Sequence, residues 1–199
     1  MEPKVLREAI EDWTKENCGF EERDYLGMSQ IWECPAELYD RMVNGRQPFT
    51  GRGARMCYEG LLHETDMIER LVALGVHGPG QELVAEWDGR FRGHTDGVLL
   101  DGDEGELLLE VKSTTRRSFK EVRGSNRALQ RDYEQVQCYM RYGGYERAVI
   151  VYKCRETGEV RPIMVWPHAA TQERLEGKAR RVLEAVDLGE RPECECGQH

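Results

Sequence analysis

The chain has 199 residues, 28 lysines and arginines against 37 aspartates and glutamates, and a formal net charge of −9. A chain of this length can bury a core without disulfides or metals, so one domain over residues 1–199 is expected. The 39% hydrophobic content and its periodic patterning exclude a disordered polymer, and no apolar run approaches the roughly 20 residues that span a bilayer.

The opening, Met1-Glu2-Pro3-Lys4-Val5-Leu6, carries no apolar signal segment, which gives a cytoplasmic location without membrane association as the expectation. Residues 4–16 and 35–44 read as helices, the second entered through Cys34-Pro35, where proline suits a first helical turn. Residues 44–53 read as loop. Over 58–75, Leu61, Ile68, Leu71, Val72 and Leu74 fall on one side of a helix and Gly75 is a plausible C-cap. His63 lies at the edge of that stripe, where a neutral imidazole can complete a metal shell or serve as an ordinary boundary residue. Glu64 sits inside the stripe, either supporting a site or acting as a helix charge.

The period then changes. Residues 82–87, 90–100 and 106–113 are strand-like, joined by Asp88-Gly89 and by Asp101-Gly102-Asp103-Glu104-Gly105. A helix is expected at 126–142, a hairpin of 147–154 and 159–166 around Glu156-Thr157-Gly158, and a last helix at 168–187. The fold class is therefore α/β (α+β), a central mixed sheet flanked by helices.

In Leu107-Leu108-Leu109-Glu110-Val111-Lys112 the period of two sends Leu108, Glu110 and Lys112 to one face. A carboxylate and an ammonium thus emerge from an apolar strand, and burying them is costly unless they are paired or bound to a cation. In the preceding strand Asp96 shares a face with Arg92 and His94, and a hairpin brings it near Glu110. Two neighbouring carboxylates repel unless a divalent cation lies between them, an arrangement of oxygen ligands suited to Mg or Mn. Gln135 and Tyr139 stand four apart on one helix face, able to position phosphate and water.

His63, Asp96, Glu110-x-Lys112 and Gln135-x-x-x-Tyr139, in that order, resemble the PD-(D/E)XK nuclease superfamily and its RecB-like branch. The resemblance implies a restriction-endonuclease-like core and metal-dependent phosphodiester hydrolysis. His63, Asp96, Glu110 and the carbonyl of Val111 would hold Mg or Mn, Lys112 would orient or deprotonate water, and Gln135 and Tyr139 would steady the DNA or Lys112. From Lys112 to Arg131, seven cations, among them Arg116, Arg117, Lys120, Arg123, Arg127 and Arg131, face Glu121 alone, and phosphate contact is expected there. Arg41, Arg46, Arg52 and Arg55 flank the other approach, and Phe49 and Phe119 are candidates for stacking on bases.

The seven cysteines are an odd number, which favours thiols or metal ligands over a disulfide framework. Cys34 before Pro35 and the tail Cys194-Glu195-Cys196-Gly197-Gln198-His199 resemble the CRISPR-associated RecB-type exonucleases and their phage relatives. That resemblance implies a 4Fe–4S cluster joining residues 1–57 to the tail 188–199. This tail has two cysteines where the family has three, so a fourth ligand would be His199, Cys18 or a group outside the chain, and mixed ligation also suits zinc. Cys57, Cys138 and Cys154 read as small core residues.

The expected function is a divalent-metal-dependent DNA exonuclease acting on DNA ends or single strands, in recombination, repair or CRISPR spacer processing. Its partners would be DNA, further copies of itself, or recombination and CRISPR proteins. The alternative is a catalytically silent DNA-binding scaffold of the same fold.

Overall fold

The computed structural model describes residues 3–19, 23–45, 47, 49–100 and 105–196. Six helices run through it: α1 (Pro3–Glu16), α2 (Pro35–Asn44), α3 (Gly51–Ala73), α4 (Arg116–Ser125), α5 (Gln130–Gly143) and α6 (Ala169–Leu188). The strands are β1 (Leu26–Gly27), β2 (Leu83–Glu86), β3 (Phe91–His94), β4 (Gly97–Leu100), β5 (Glu106–Thr114), β6 (Ala148–Cys154) and β7 (Val160–Val165). No helix among the described residues is long and apolar enough to cross a membrane.

The strands form two sheets rather than one. A four-stranded sheet has the order β4-β5-β6-β7, with β5 and β6 parallel and both outer pairs antiparallel; a three-stranded sheet has the order β1-β3-β2. The period of two in β5 sorts its side chains as expected. Leu107, Leu109 and Val111 pack with Val149, Val151 and Met67 under α3, while Leu108 joins Ile150, Tyr152 and Ile163 in the larger core beneath α4, α5 and α6. Helix α3 begins within the stretch expected as loop, and its stripe is only partly used. Met67, Ile68 and Leu71 meet the sheet, whereas Leu61, Val72 and Leu74 are exposed.

The stretch 90–100, expected as one strand, is broken. Phe91–His94 pairs with β1 and β2, Gly97–Leu100 pairs with β5, and Thr95 and Asp96 carry the chain from one sheet to the other. The cation-rich link is likewise not part of one helix at 126–142. It is α4, ended by Asn126 in a left-handed conformation (φ 52°), after which α5 starts afresh from Leu129. Of the turn at 101–105, residues 101–104 lie outside the described residues.

Gly93 fixes how closely the two layers approach. A Cβ there would lie 2.7 Å from Cε1 and 2.8 Å from the hydroxyl of Tyr139, a fully buried ring. Gly93→Ala is therefore expected to overpack this contact and destabilise the chain by about 1–3 kcal/mol. Urea unfolding measures it, and an unchanged midpoint would mean that Tyr139 is free to move aside.

Candidate active site

Leaving β5 at Asp96 opens a notch along its edge. Register pairs Gly97 with Leu109, and the next backbone donor, the N–H of Val111, has no strand opposite it. The Asp96 side chain takes that place, its Oδ2 accepting from the Val111 N–H at 2.6 Å, while the Asp96 N–H donates to the Leu109 carbonyl at 3.3 Å. The carboxylate thus finishes the ladder where the strand stops.

Glu110 projects beneath this notch and is 1% exposed. Its Oε1 is ion-paired with Lys112 Nζ and accepts from Gln135 Nε2 at 2.8 Å; the same Gln135 nitrogen lies 2.9 Å from the Tyr139 hydroxyl. Gln135 and Tyr139 are both buried on α5, and Gln135 links the phenol to Glu110. Glu110 Oε2 is buried without a hydrogen-bond partner. A buried carboxylate oxygen left without a donor is costly, and a bound cation would satisfy it.

The electrostatics agree. Burial, reinforced by the charge of Asp96 and opposed by Lys112, pushes the Glu110 carboxyl up to about 8. Burial also raises Asp96, against the pull of Lys112 and the Val111 N–H. Glu64 is half-buried on α3 and accepts from Gln81 Nε2 at 3.2 Å; burial and Asp96, opposed by Lys112, move it up to about 7. Lys112 moves the other way from what its burial favours, because Glu110, Asp96 and Asp132 hold it as an ammonium well above its ordinary range. Three acids around one cation are more negative charge than the site neutralises, which suits a divalent ion.

The surroundings of Glu110 and Lys112 differ from the sequence expectation in two places. His63 is held neutral by burial and by Lys153 and Arg155, and its remaining charged neighbours are Glu59 and Asp66; Glu64, one residue on, is the group that feels Asp96 and Lys112. Asp132 was not singled out at all. It is buried at the start of α5, accepts from the Tyr152 hydroxyl at 2.9 Å, and contributes to the fields at both Glu110 and Lys112. Its signal in the sequence is spacing: Asp132, Gln135 and Tyr139 stand at i, i+3 and i+7 of one helix face.

Arg116, Arg117, Lys120, Arg123, Arg127 and Arg131 are all exposed. Arg123 pairs with Glu159 and Arg131 with Asp132, while Arg116, Arg117, Lys120 and Arg127 make no ion pair among the described residues. Phe119 is buried in the core, so it offers no face for stacking. Of the other approach, Arg41 pairs with Glu33 and Arg55 with Glu11, Arg52 is exposed, and Arg46 lies outside the described residues.

A second cluster stands at the chain ends. Cys34, Cys194 and Cys196 place their sulfurs within 4.8 Å of one another, the one such group of three Cys, His, Asp or Glu ligand atoms among the described residues. Cys34 and Cys194 are 3.8 Å apart and Cys194 and Cys196 2.8 Å. Burial would raise the Cys34 thiol, yet backbone N–H groups of Glu195 and Ala36, with the two neighbouring thiols, hold it down at about 7. Arg191 donates to both oxygens of Asp40 at 2.8 Å, tying the tail to α2. Cys18 is buried and its sulfur lies 3.1 Å from the Lys15 carbonyl, away from this group, and His199 lies outside the described residues.

No protein-family model matches the chain, and no curated protein does. Solved structures do. The alkaline exonuclease LHK-Exo from Laribacter hongkongensis aligns with a TM-score of 0.64 at 15% identity, over 90% of this chain and 93% of its own. Its complex with dAMP aligns with a TM-score of 0.65 at 15% identity and the same coverage. A phage related exonuclease from Haemophilus somnus 129PT aligns with a TM-score of 0.51 at 10% identity, over 77% of this chain and 79% of its own. The likeness is one of fold. It fits the restriction-endonuclease-like core expected from the motifs.

The Glu110 shift sets a pH dependence for the metal-free chain. Unfolded, the carboxyl loses its proton near 4.5; folded, it keeps it up to about 8. The native state binds more protons in that window, so stability falls as pH rises through it and levels off above. Glu110→Gln should thus stabilise the metal-free protein more at pH 8.5 than at pH 5. Chemical denaturation at both values measures this, and an equal effect at the two would refute the buried, protonated Glu110.

Proposed function

We propose that the chain is a divalent-metal-dependent deoxyribonuclease, acting as an exonuclease on DNA ends or single strands. The observation that carries this reading is the buried Glu110, ion-paired with the partly buried Lys112 and keeping one unpartnered carboxylate oxygen, set beside Asp96 and Glu64. Exonuclease is preferred over endonuclease because the solved structures of like fold are described as exonucleases, one of them with dAMP.

In this reading Asp96, Glu110 and Glu64, with the Val111 carbonyl, hold Mg or Mn; we assign the third acidic position to Glu64 in place of His63. When bound, the ion neutralises phosphate charge and lowers the pKa of a water it holds. Lys112, kept as an ammonium, orients water and stabilises charge developing on the phosphate rather than acting as the base. Gln135 fixes Glu110 in one orientation, and Tyr139 closes the site behind it. The cations of α4 and of the turn after it contact the DNA backbone. Glu110→Ala and Lys112→Ala are each expected to lower cleavage of end-labelled DNA in Mg or Mn at least a hundredfold while leaving DNA affinity within a few fold. Wild-type protein that binds DNA yet cleaves nothing with either metal would favour the scaffold reading instead.

We also propose that Cys34, Cys194 and Cys196 hold a metal centre, an iron–sulfur cluster or zinc, completed by His199 or a ligand from outside the chain. Three close sulfurs with a lowered thiol suit thiolate ligation, and the centre would join residues 1–57 to the tail 188–199 of one domain. The biological setting we assign is recombination, repair or CRISPR spacer processing. Anaerobically purified protein should carry iron with acid-labile sulfide, or one zinc, and Cys34→Ser should lose it with a fall in thermal midpoint. Wild-type protein free of both metals would rule the centre out.

A further inference from the structure

Beside the α4–α5 turn lies a groove of about 420 Å³ that the proposed cleavage site does not use. One wall is the turn itself, with Arg127, and Tyr133 of α5; the other is the edge strand β7 with Ile163 and the segment Trp166-Pro167-His168. Its volume falls within the range of small-molecule sites, roughly 300–1,000 Å³. Two features distinguish it from an ordinary surface hollow.

The first is how Trp166 is presented. The residue is 59% exposed, yet the backbone carrying the ring is fixed. Gln137, fully buried on α5, donates from Nε2 to the Trp166 carbonyl at 2.8 Å and accepts at Oε1 from the His168 N–H at 2.9 Å. Pro167 lies between those two anchors, and the His168 ring accepts from the Thr171 N–H at the start of α6. A large aromatic held on a rigid backbone and left in solvent is a recognition surface that loses little conformational freedom on binding.

The second is its position. Register pairs Glu110 with Ile150 and Ile150 with Ile163. Ile163 therefore lies two strand spacings from Glu110 across the sheet, roughly 10 Å. Exposed Arg127 lines the groove, and exposed Arg131 stands at the start of α5, paired with the Asp132 whose charge reaches Glu110, so that a basic path joins the two places. The charge of the path is opposite to that of the chain as a whole, which carries a net −9.

We propose that this groove binds the unpaired bases of a single DNA strand whose backbone passes the Glu110–Lys112 notch, with Trp166 and Tyr133 as stacking surfaces and Arg127 as a phosphate contact. The proposal rests on the nuclease reading for what occupies the notch, but base stacking in the groove is measurable without cleavage. Aromatic faces beside cations suit single strands because every base has a face to stack, whatever its identity, while the phosphates take the charge. An acidic or apolar peptide would leave either the arginine or the tryptophan without a complement.

The test uses the full chain in a Glu110→Gln background, with fluorescence anisotropy of labelled oligo-dT of 2 to 12 nucleotides. Adding Trp166→Ala should weaken the longer oligomers about tenfold and leave the shortest unchanged, because only a strand that spans both places reaches the groove. Trp166→Phe should restore most of the affinity. Arg127→Ala should lower the salt dependence by about one counterion, a loss that Trp166→Ala should not produce. Equal affinity of the Trp166→Ala and parent chains at every length would overturn the proposal, as would a uniform loss for dinucleotides too. An active wild-type nuclease with either result would leave the nuclease reading standing and remove the groove alone; failure of all DNA to bind would remove both.

Discussion

The constraint that the site answers to is the burial of Glu110, paired with the partly buried Lys112, on the inner face of β5. Two apolar residues in those positions would pack against α5 at no electrostatic cost, and buried ion pairs often contribute less than such replacements. The surroundings are arranged to make the pair tolerable. Gln135 donates to Glu110, Asp96 and Asp132 raise the affinity of Lys112 for its proton, and Tyr152 holds Asp132 in place. Even so, one oxygen of Glu110 is left without a donor. A polar cluster that costs stability and is left short of positive charge suits the cation that the proposed function calls for.

That cluster exists because a strand breaks. Had residues 90–100 continued as one strand, Val111 would have been covered by backbone and Lys112 sealed into the sheet. The crossing at Thr95-Asp96 moves the chain into the second sheet and leaves the β5 edge open beyond Leu109. Asp96 then does two jobs with one side chain, satisfying the Val111 N–H with Oδ2 and lending its charge to the site. Gly93 and Gly97 flank the break where side chains would collide, the first with Tyr139 and the second with His77 and the Pro79 carbonyl.

What the sequence made legible were the features with a local period. The alternation in β5 put Glu110 and Lys112 on one face, the spacing of four put Gln135 and Tyr139 together, and the proline after Cys34 marked the start of α2. Features that depend on two segments meeting were not legible. The Asp96-Gly97 pair can mark a bend, but it does not say that the chain crosses there to a second sheet, whose strand β1 is two residues long. Whether His63 or Glu64 faces the site turns on one 100° step of helix, and that step is set by Met67, Ile68 and Leu71 meeting the sheet, not by the wider stripe. Phe119 lies among cations in the sequence and yet is core, since α4 presents its cations on one face and its apolar residues on the other.

The same helix offers an acidic protein a way to approach the polyanion of the proposed function. Many of the arginines are neutralised in pairs away from the notch: Arg90 with Asp187, Arg141 and Arg180 with Glu176, Arg174 with Glu134, Arg191 with Asp40. Among the described residues the cations without an ion pair concentrate on α4 and the turn that follows it, the segment that begins two residues beyond Thr114, the last position of β5 paired with β6, and ends at the Trp166 groove. On the proposed DNA substrate, repulsion from the rest of the surface and attraction at this one segment would orient a strand before any specific contact forms, which favours productive encounters over scattered adsorption. A uniformly basic surface would bind DNA more tightly, but it would hold most strands away from the notch, where binding serves no chemistry.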